Sequence, residues 1–337
     1  MPRSLVIDYA AQIGAGPLLV QGPGGNISCK DGNELWVKAS GAWLANAKKE
    51  EIFLPLDLAK ACRLAKDGQD DFSSAVTGDT KLRPSIETAL HALVPRAVVV
   101  HVHAVDVLAY AVRHNARHVL APKLAGLKWV WINYAKPGAD LALAVSKGMI
   151  GGCAPDVFIL GNHGLVVSGP TVDKVDRVLR DVLIRLRLYP RTIKKPHNAD
   201  FTELEKAWKP HGYHMPADAS LHDLATDPLC LRFAKERWAL YPDHVVFLGA
   251  HAPVADSSET PDAFLSRSGG RPPFVIVSGK GIVQEARITP VQQAMIGCYA
   301  EVVRRLETVE GIATLSDTQV AELLDWDKER VRREIAP

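Results

Sequence analysis

Two histidines at the end of a run of β-branched residues are the part of this sequence best suited to chemistry. Residues 98–103 read VVVHVH, a pattern that predicts a buried strand ending in His101 and His103. Side chains alternate between the two faces of a strand, so both imidazoles project to the same side. Neutral imidazole is the commonest protein ligand for zinc, and two of them supply half of a tetrahedral shell. A hydrogen-bonded pair of core histidines is the alternative that this motif alone leaves open.

Two further residues bear on that choice. His163 lies in GNHG, where flanking glycines let the backbone turn sharply and aim one side chain at a site. Glu87 lies in the first turn of a helix predicted over 84–94, just before the histidine strand, where the helix dipole favours a carboxylate. A surface position for His163 and a helix-capping role for Glu87 are the ordinary alternatives.

The elements that would position these residues alternate between strands and helices, which predicts the α/β class. Helices are predicted near 139–148 and over 171–189, and two short strands meet at the bend Gly161–Gly164. An early glycine loop precedes a hairpin with its turn at Asp31-Gly32. A dinucleotide or phosphate fingerprint needs the glycine loop to open a helix, so this loop excludes a Rossmann interpretation.

The second half of the chain has a different character. Residues 191–219 are rich in Pro, Lys and His and predict a linker or irregular arm, and residues 220–337 predict a smaller α+β domain. Strands are expected at 244–250 and 273–286, followed by two closing helices, the second capped by Ser316. His211, His214, His244 and His251 share no spacing and are predicted to be surface or interface residues.

Composition restricts the partners. The formal net charge of the 337 residues is only +2, with 40 Lys and Arg against 38 Asp and Glu, which argues against nucleic acid or an anionic membrane. No apolar stretch is long enough to span a bilayer. Five scattered cysteines without a Cys-x-x-Cys pair predict reduced thiols and a cytoplasmic protein.

Several motifs in order carry a resemblance. PSIE at 84–87, His-x-His fourteen residues later and GNHG some sixty further on resemble the class II aldolase and adducin superfamily. The likeness runs from about residue 9 to 188 and includes the GGNIS and KASG segments. It implies a three-layer domain over residues 1–190, with a central β-sheet flanked by helices. The C-terminal part more weakly resembles rhamnulose-type bifunctional aldolase/dehydrogenase proteins, without the dehydrogenase.

The resemblance also implies roles for individual residues. His101, His103 and His163 would bind a divalent metal, with zinc expected, and Glu87 would be the acid/base carboxylate. Residues matching the family's substrate- and anion-binding positions are Gly25, Asn26, Ser28, Ser40, Gly41 and Ser85.

The sequence also departs from the fuculose-type pattern. Ile86 replaces a serine and Pro23 a hydroxyl residue, which puts a phosphate monoester in doubt. Arg83 or Lys81 could compensate, or the anion could be a carboxylate.

The sequence leaves open the role of His91 and the identity of the proton donor. His91, four residues after Glu87, could orient that carboxylate or pack in the core. The family's proton donor is a tyrosine from a neighbouring subunit. Tyr134 and Tyr110 are the candidates for it, with a core role favoured for both.

These residues predict a metal-dependent lyase that reversibly cleaves a carbon–carbon bond in a small hydroxy-oxo, sugar-derived substrate through an enediolate or enolate. A decarboxylase or an epimerase on the same site is the alternative within this chemistry, and a non-catalytic adducin-like scaffold is the alternative outside it. The resemblance implies a homo-oligomer, by analogy a tetramer. Substrate identity and stereochemistry do not follow from the sequence.

Overall fold

The structure is a computed structural model, and it describes residues 2–149, 154–193 and 201–335. The described chain forms two compact units, one of residues 1–187 with 325–337 and the other of residues 188–324. The helices are α1 (Arg3–Gly14), α2 (Leu58–Lys66), α3 (Thr88–Leu93), α4 (Val105–Ala111), α5 (Ala116–Lys123), α6 (Ala139–Gly148), α7 (Val172–Arg185), α8 (Thr202–Trp208), α9 (Asp223–Thr226), α10 (Pro228–Glu236), α11 (Pro242–Leu248), α12 (Pro261–Arg267), α13 (Pro290–Val303), α14 (Asp317–Leu324) and α15 (Asp327–Ile335). The strands are β1 (Asn26–Asp31), β2 (Glu34–Lys38), β3 (Phe53–Asp57), β4 (Val98–Val102), β5 (Trp129–Ile132), β6 (Val157–Leu160), β7 (Gly164–Gly169), β8 (Tyr213–His214), β9 (Val254–Ala255), β10 (Phe274–Val277) and β11 (Gly281–Glu285).

The first unit is built on a seven-stranded sheet in the order β3-β2-β1-β4-β7-β6-β5, antiparallel except for the β5–β6 pair. Helices α2, α3 and α6 cover one face over a continuous apolar core, and α1, α4 and α7 pack on the other. This is the predicted three-layer arrangement, a central sheet with helices on both sides. The hairpin at Asp31-Gly32 and helices α6 and α7 form where the sequence predicted them.

The alternation of side chains along a strand determines which residues of β4 lie on the same face of the sheet. Every residue of β4 is buried, as expected for a central strand covered on both faces. Val99 belongs to the core under α2, α3 and α6. His101 and His103 lie two and four residues further along, so they share the face of Val99 and point towards the layer that contains α3.

The second unit holds a four-stranded sheet in the order β8-β11-β10-β9 with helices around it. The segment predicted as a linker over 191–219 contains α8 and β8, and the described part of it contributes buried Trp208 and Tyr213 to this unit's core. Both rings pack edge to face, and Trp208 also meets Phe264. These two core positions could not be recognised in the sequence, because the residues around them are rich in Lys, Pro and His. Residues 194–200 of the predicted linker lie outside the described residues.

Two other expectations for the second half need correction. Residues 244–250, predicted as a strand, belong largely to helix α11, which begins at Pro242 in its first turn. His244 on that helix is fully buried between the rings of Trp238, Tyr241 and Tyr299, so the surface prediction for it was wrong. An apolar run of four residues fits a buried helix as well as a strand, which explains the error.

The end of the chain also differs from the prediction. Ser316 does cap its helix, since its hydroxyl accepts from the Gln319 amide at 3.3 Å. The helix that Ser316 caps, α14, ends at Leu324. The residues after it form a separate helix, α15, which groups with the first unit rather than with the second. The predicted division at 220–337 therefore assigns α15 differently from the structure.

Four of the five cysteines are free thiols in the structure: Cys29, Cys62, Cys230 and Cys298. Cys153 lies outside the described residues.

None of the helices in the described ranges is both long enough and apolar enough to cross a bilayer.

Candidate metal centre

The candidate site lies at one edge of the seven-stranded sheet. Because β1, β4 and β7 are antiparallel neighbours, the start of β1, the end of β4 and the start of β7 fall at the same edge. Asn26 opens β1 opposite His101 in the register, and His163 directly precedes β7. Sheet topology thus brings together polar residues that are up to about 140 positions apart in the chain.

The GNHG bend turns the chain tightly enough to aim His163 inward. Asn162 adopts the left-handed conformation with φ 50°, and Gly164 has φ 148°. A Cβ atom on Gly164 would lie only 2.6 Å from the carbonyl oxygen of Val102 and 3.3 Å from the His103 ring. Glycine is therefore required at 164, because any side chain would push the histidine strand and the bend apart.

Gly164→Ala is accordingly expected to destabilise the protein by at least about 2 kcal/mol, since backbone strain and a backbone clash combine there. Urea unfolding followed by circular dichroism measures the change. Gly16→Ala is the matched control, because its Cβ would meet only ordinary contacts at 3.5 Å. Equal stability losses in the two variants would contradict the close-packing argument.

Three imidazoles and one carboxylate converge in the buried pocket so formed. His101 Nε2 lies 3.0 Å from His103 Nε2 and 3.4 Å from Glu87 Oε1, which in turn lies 3.2 Å from His163 Nε2. The ligand atoms of the three histidines all lie within 4.8 Å of one another. In a tetrahedral zinc site with ligand bonds of roughly 2.0–2.1 Å, neighbouring donor atoms are about 3.3 Å apart. The donor spacing therefore fits a small divalent metal.

His101 is held in the form that binds a metal. Its Nδ1 donates to the carbonyl oxygen of Leu165 at 3.1 Å, which leaves the lone pair of Nε2 facing the pocket. Burial lowers the pKa of His101 to about 3 against the opposing effect of Glu87. The imidazole is therefore neutral at neutral pH, as a metal ligand must be.

Glu87 faces the histidines instead of capping its helix. The chain before α3 is held extended, because Pro84 pairs with Ala39 and the Ser40 amide donates to the Arg83 carbonyl at 2.9 Å. The helix then begins at Thr88, so Glu87 is its N-cap residue rather than part of the first turn, and its side chain makes no capping hydrogen bond. This corrects the predicted helix start and removes the capping alternative.

The carboxyl group of Glu87 is ionised although it is buried. Its Oε2 accepts a hydrogen bond of 2.5 Å from the Asn26 side-chain amide. Burial alone raises the pKa of such a carboxyl, but the positive charge that His101 carries once it is protonated at low pH, and then the hydrogen bond from His163, lower the pKa of Glu87 well below its ordinary value. Asn26 engages one oxygen, so Oε1 is the atom that faces the three imidazoles.

His91 lies beneath this cluster and is held by a residue predicted to bind an anion. The hydroxyl of Ser28 and Nδ1 of His91 are 2.7 Å apart, and both side chains are fully buried. Burial lowers the pKa of His91 to about 3, so it is a neutral core residue. The Ser28 hydroxyl is thus engaged with His91 on the side of the sheet that carries Glu87.

Ser28→Ala is expected to lower the free energy of unfolding by about 1–3 kcal/mol, because it leaves His91 Nδ1 buried without its partner. Urea unfolding measures the change, and metal content should stay at the wild-type level because no metal-facing atom changes. Ser74→Ala, at an exposed position, is the control for removing a hydroxyl. A loss no larger than that of the control would show that the pair is not structural.

The other predicted site residues fall around the cluster. Gly25 packs so closely that a Cβ would lie 2.9 Å from the His101 carbonyl, and Ser85 accepts from the Glu87 amide at 3.3 Å. Ser40 and Gly41 follow β2 in the turn beside Arg83. Tyr134 follows β5, and its backbone nitrogen lies 3.3 Å from a Cβ placed on Gly161, at the start of the histidine bend.

Two supporting residues were missed by sequence reasoning. The ammonium group of buried Lys38 donates to the carbonyls of Pro23 and Ala42 at 2.7 and 2.6 Å, which ties the glycine loop to the turn after β2. The amide of buried Gln21 donates to Pro17 at 2.7 Å and approaches the His103 carbonyl at 3.4 Å. A polar residue next to a glycine loop was the available signal, but its partners are set only by the fold.

Comparisons with known proteins agree with this geometry. The family model described as the Class II Aldolase and Adducin N-terminal domain matches residues 7–179, slightly more than half of the chain, and the chain therefore belongs to this family. The matched residues fall within the first unit, which has a central seven-stranded sheet flanked by helices. The buried group of His101, His103 and His163 has the donor atoms and the spacing to hold a divalent metal.

Individual relatives cover only part of this chain. An uncharacterized oxidoreductase, YuxG, of Bacillus subtilis is 32% identical over 44% of this chain, but the match covers only 24% of that protein. An L-fuculose phosphate aldolase of Methanococcus maripaludis is 24% identical over 45% of this chain and 77% of its own length. The solved N-terminal class II aldolase domain of a Thermoplasma acidophilum protein is 26% identical, with 54% of this chain and 90% of that chain covered and a TM-score of 0.47.

Proposed function

We propose that this protein is a zinc-dependent lyase that reversibly cleaves a carbon–carbon bond by an aldol reaction in a small, sugar-derived hydroxy-oxo substrate. The observation that carries the proposal is the buried convergence of three imidazoles and one carboxylate, at spacings near those of a tetrahedral shell. We also propose, from the resemblance and from the free thiols, a cytoplasmic homo-oligomer such as a tetramer.

Each residue then has a defined task. His101, His103 and His163 would hold the metal through neutral nitrogen atoms, a donor set that suits zinc. When bound, a divalent cation supplies a Lewis acid that polarises a substrate carbonyl and offsets the charge of the enediolate or enolate that develops there. The His101 Nδ1 contact to Leu165 keeps that imidazole oriented throughout.

Glu87 would move the proton. Its Oε1 is the oxygen that faces the histidines, 3.4 Å from His101 Nε2 and 3.2 Å from His163 Nε2. In the addition direction an ionised carboxylate there can accept a proton from the carbon next to the carbonyl, and after cleavage it can return that proton to the same carbon of the enolate. Asn26 keeps Oε2 engaged at 2.5 Å and so fixes which oxygen takes part.

A decarboxylase and an epimerase would use the same groups, because both reactions pass through a carbanion or an aldol pair next to a polarised carbonyl. A non-catalytic scaffold is disfavoured by a physical argument. Burying an ionised carboxylate with several imidazoles costs stability relative to an apolar core, and a protein-binding scaffold gains nothing from that cost.

The test is metal analysis followed by a reaction screen on the purified full chain. We expect about one zinc per chain, and aldehyde release from some members of a panel of phosphorylated, carboxylated and neutral hydroxy-ketones. Carbon dioxide release or epimer formation without aldehyde release would select the alternative chemistry. A chain that contains no metal and takes up no added zinc would refute the proposal and leave the scaffold.

A further inference from the structure

A cavity of about 420 Å³ lies within the first unit, next to the segment that carries Glu87. Its volume is in the range of pockets that take small molecules. Residues that line it include Ser40, Arg83, Ile86, Asp327, Lys328 and Val331. The last three belong to α15, so the end of the chain supplies part of the wall of a cavity in the aldolase-type unit.

One residue that lines the cavity is the direct sequence neighbour of a residue of the candidate metal centre. Ile86 immediately precedes Glu87, and Ser40 is bonded through its amide to the Arg83 carbonyl at 2.9 Å. Ser40 was predicted to contact an anion, and Ile86 is where the fuculose-type pattern loses a serine. The part of a substrate remote from the reacting carbon would extend towards this cavity.

Helix α15 contacts the rest of the first unit just before its first turn and within it. The ring of Trp326 lies under the Lys136 ammonium group at 4.3 Å and beside Gly138. Lys328 makes a longer ion pair with Asp71 at 3.8 Å, and their side chains are 36% and 68% exposed. An ion pair so exposed contributes roughly 0–1 kcal/mol, so Lys328 can leave Asp71 for another anion at little cost.

The carboxylates of the cavity already have hydrogen-bond donors. Asp70 accepts from the Ala139 amide at 2.8 Å, and Asp71 accepts from the amide and hydroxyl of Ser73 at 3.0 and 2.7 Å. Asp327, also at the cavity, pairs with Arg330 at 2.9 Å.

The cations of the cavity are less engaged. The guanidinium of Arg83 is exposed and makes no hydrogen bond or ion pair with any residue in the described ranges, and Lys328 has only the long pair with Asp71. The two cations, not the acids, are therefore the groups able to take a new partner.

We propose that Arg83 and Lys328 bind the anionic end of the substrate in this cavity, so that α15, which follows the entire second unit in the chain, completes the pocket of the aldolase-type unit. The proposal rests on the proposed function and narrows its substrates to hydroxy-oxo compounds with a terminal phosphate or carboxylate. Ile86 and Val331 would pack against the carbon chain between that anion and the reacting centre.

The experiment measures binding to the zinc-loaded full chain by isothermal titration calorimetry with three probes. Dihydroxyacetone phosphate and hydroxypyruvate each join a hydroxy-ketone to an anion, and dihydroxyacetone is the neutral equivalent. The variants are Lys328→Ala and Arg83→Ala, with Arg333→Ala as the control, because Arg333 carries the same charge at an exposed position of the same helix but does not line the cavity. Circular dichroism verifies that each variant is folded.

We expect wild type to bind one anionic probe at least about tenfold more tightly than dihydroxyacetone, and each cavity variant to lose about tenfold for that probe alone. The probe that binds more tightly distinguishes phosphate from carboxylate. Anion binding that is unchanged in Lys328→Ala, or probe binding that is weakened equally for the neutral probe, would overturn the anion-binding role proposed for Arg83 and Lys328. The proposed function would still stand. Wild type that binds none of the three would overturn both.

Discussion

Glu87→Gln is expected to lower kcat by roughly 10²–10⁴-fold while the protein still binds its metal, because the change removes the general base and keeps the shape of the side chain. A glutamine oxygen can still accept the Asn26 amide hydrogen bond of 2.5 Å. The three imidazoles keep their positions, since His101 is oriented by Leu165 and not by Glu87 alone. The measurements are kcat on the substrate found in the screen and metal content by elemental analysis.

The control for that variant is Glu51→Gln, an acid in the same unit whose side chain is exposed. It should reproduce wild-type turnover and metal content. Exchange with deuterated water of the proton next to the carbonyl in the ketone product provides a second readout, because it isolates the proton transfer assigned to Glu87 from carbon–carbon cleavage. A Glu87→Gln enzyme within threefold of wild type in both assays would assign the proton transfer to another group.

The proximity of the histidines could be predicted because it follows from local rules. The period of a strand places His101 and His103 on one face whatever the rest of the chain does. The position of His163 could not be predicted from local rules alone, since a glycine-flanked bend indicates a sharp turn but not its direction. Only the antiparallel pairing of β4 with β7 places that bend beside the end of the histidine strand.

The direction of the Glu87 side chain could not be predicted. A helical pattern over 84–94 placed Glu87 inside the helix, where its carboxylate would serve the helix terminus. The structure starts the helix at Thr88, because Pro84 bridges to Ala39 from a distant strand segment. A contact 45 residues away in sequence thus decides whether this carboxylate caps a helix or faces the histidine cluster.

Long-range packing also explains the other differences. Ser28 and His91 each matched a plausible site role, yet they are bonded to each other, a pairing set by how α3 lies on β1. Helix α15 groups with the first unit, where Trp326 and Lys328 contact Lys136 and Asp71, residues about 190 and 257 positions earlier. Sequence periodicity predicts that such a helix exists but not the unit on which it packs.

His101→Ala/His103→Ala is expected to lower zinc affinity at least a thousandfold and to abolish turnover, because it removes two of the three nitrogen ligands. Elemental analysis after dialysis should find about one zinc per wild-type chain and none in the variant. Thermal unfolding gives an independent measurement. Zinc at 1,000 times its Kd stabilises a native protein by about 4 kcal/mol, so added zinc should raise the Tm of wild type and leave that of the variant unchanged.

The zinc-dependent part of the stability separates ligand loss from simple damage. Without metal the variant is also expected to be less stable than wild type, since two buried rings are replaced by methyl groups and leave a cavity. His114→Ala/His118→Ala, at two exposed positions of the same unit, is the matched control and should keep both the zinc and its effect on Tm. If the buried pair can be removed without changing that effect, then His101 and His103 are core residues, and the metal centre and the lyase function fall together.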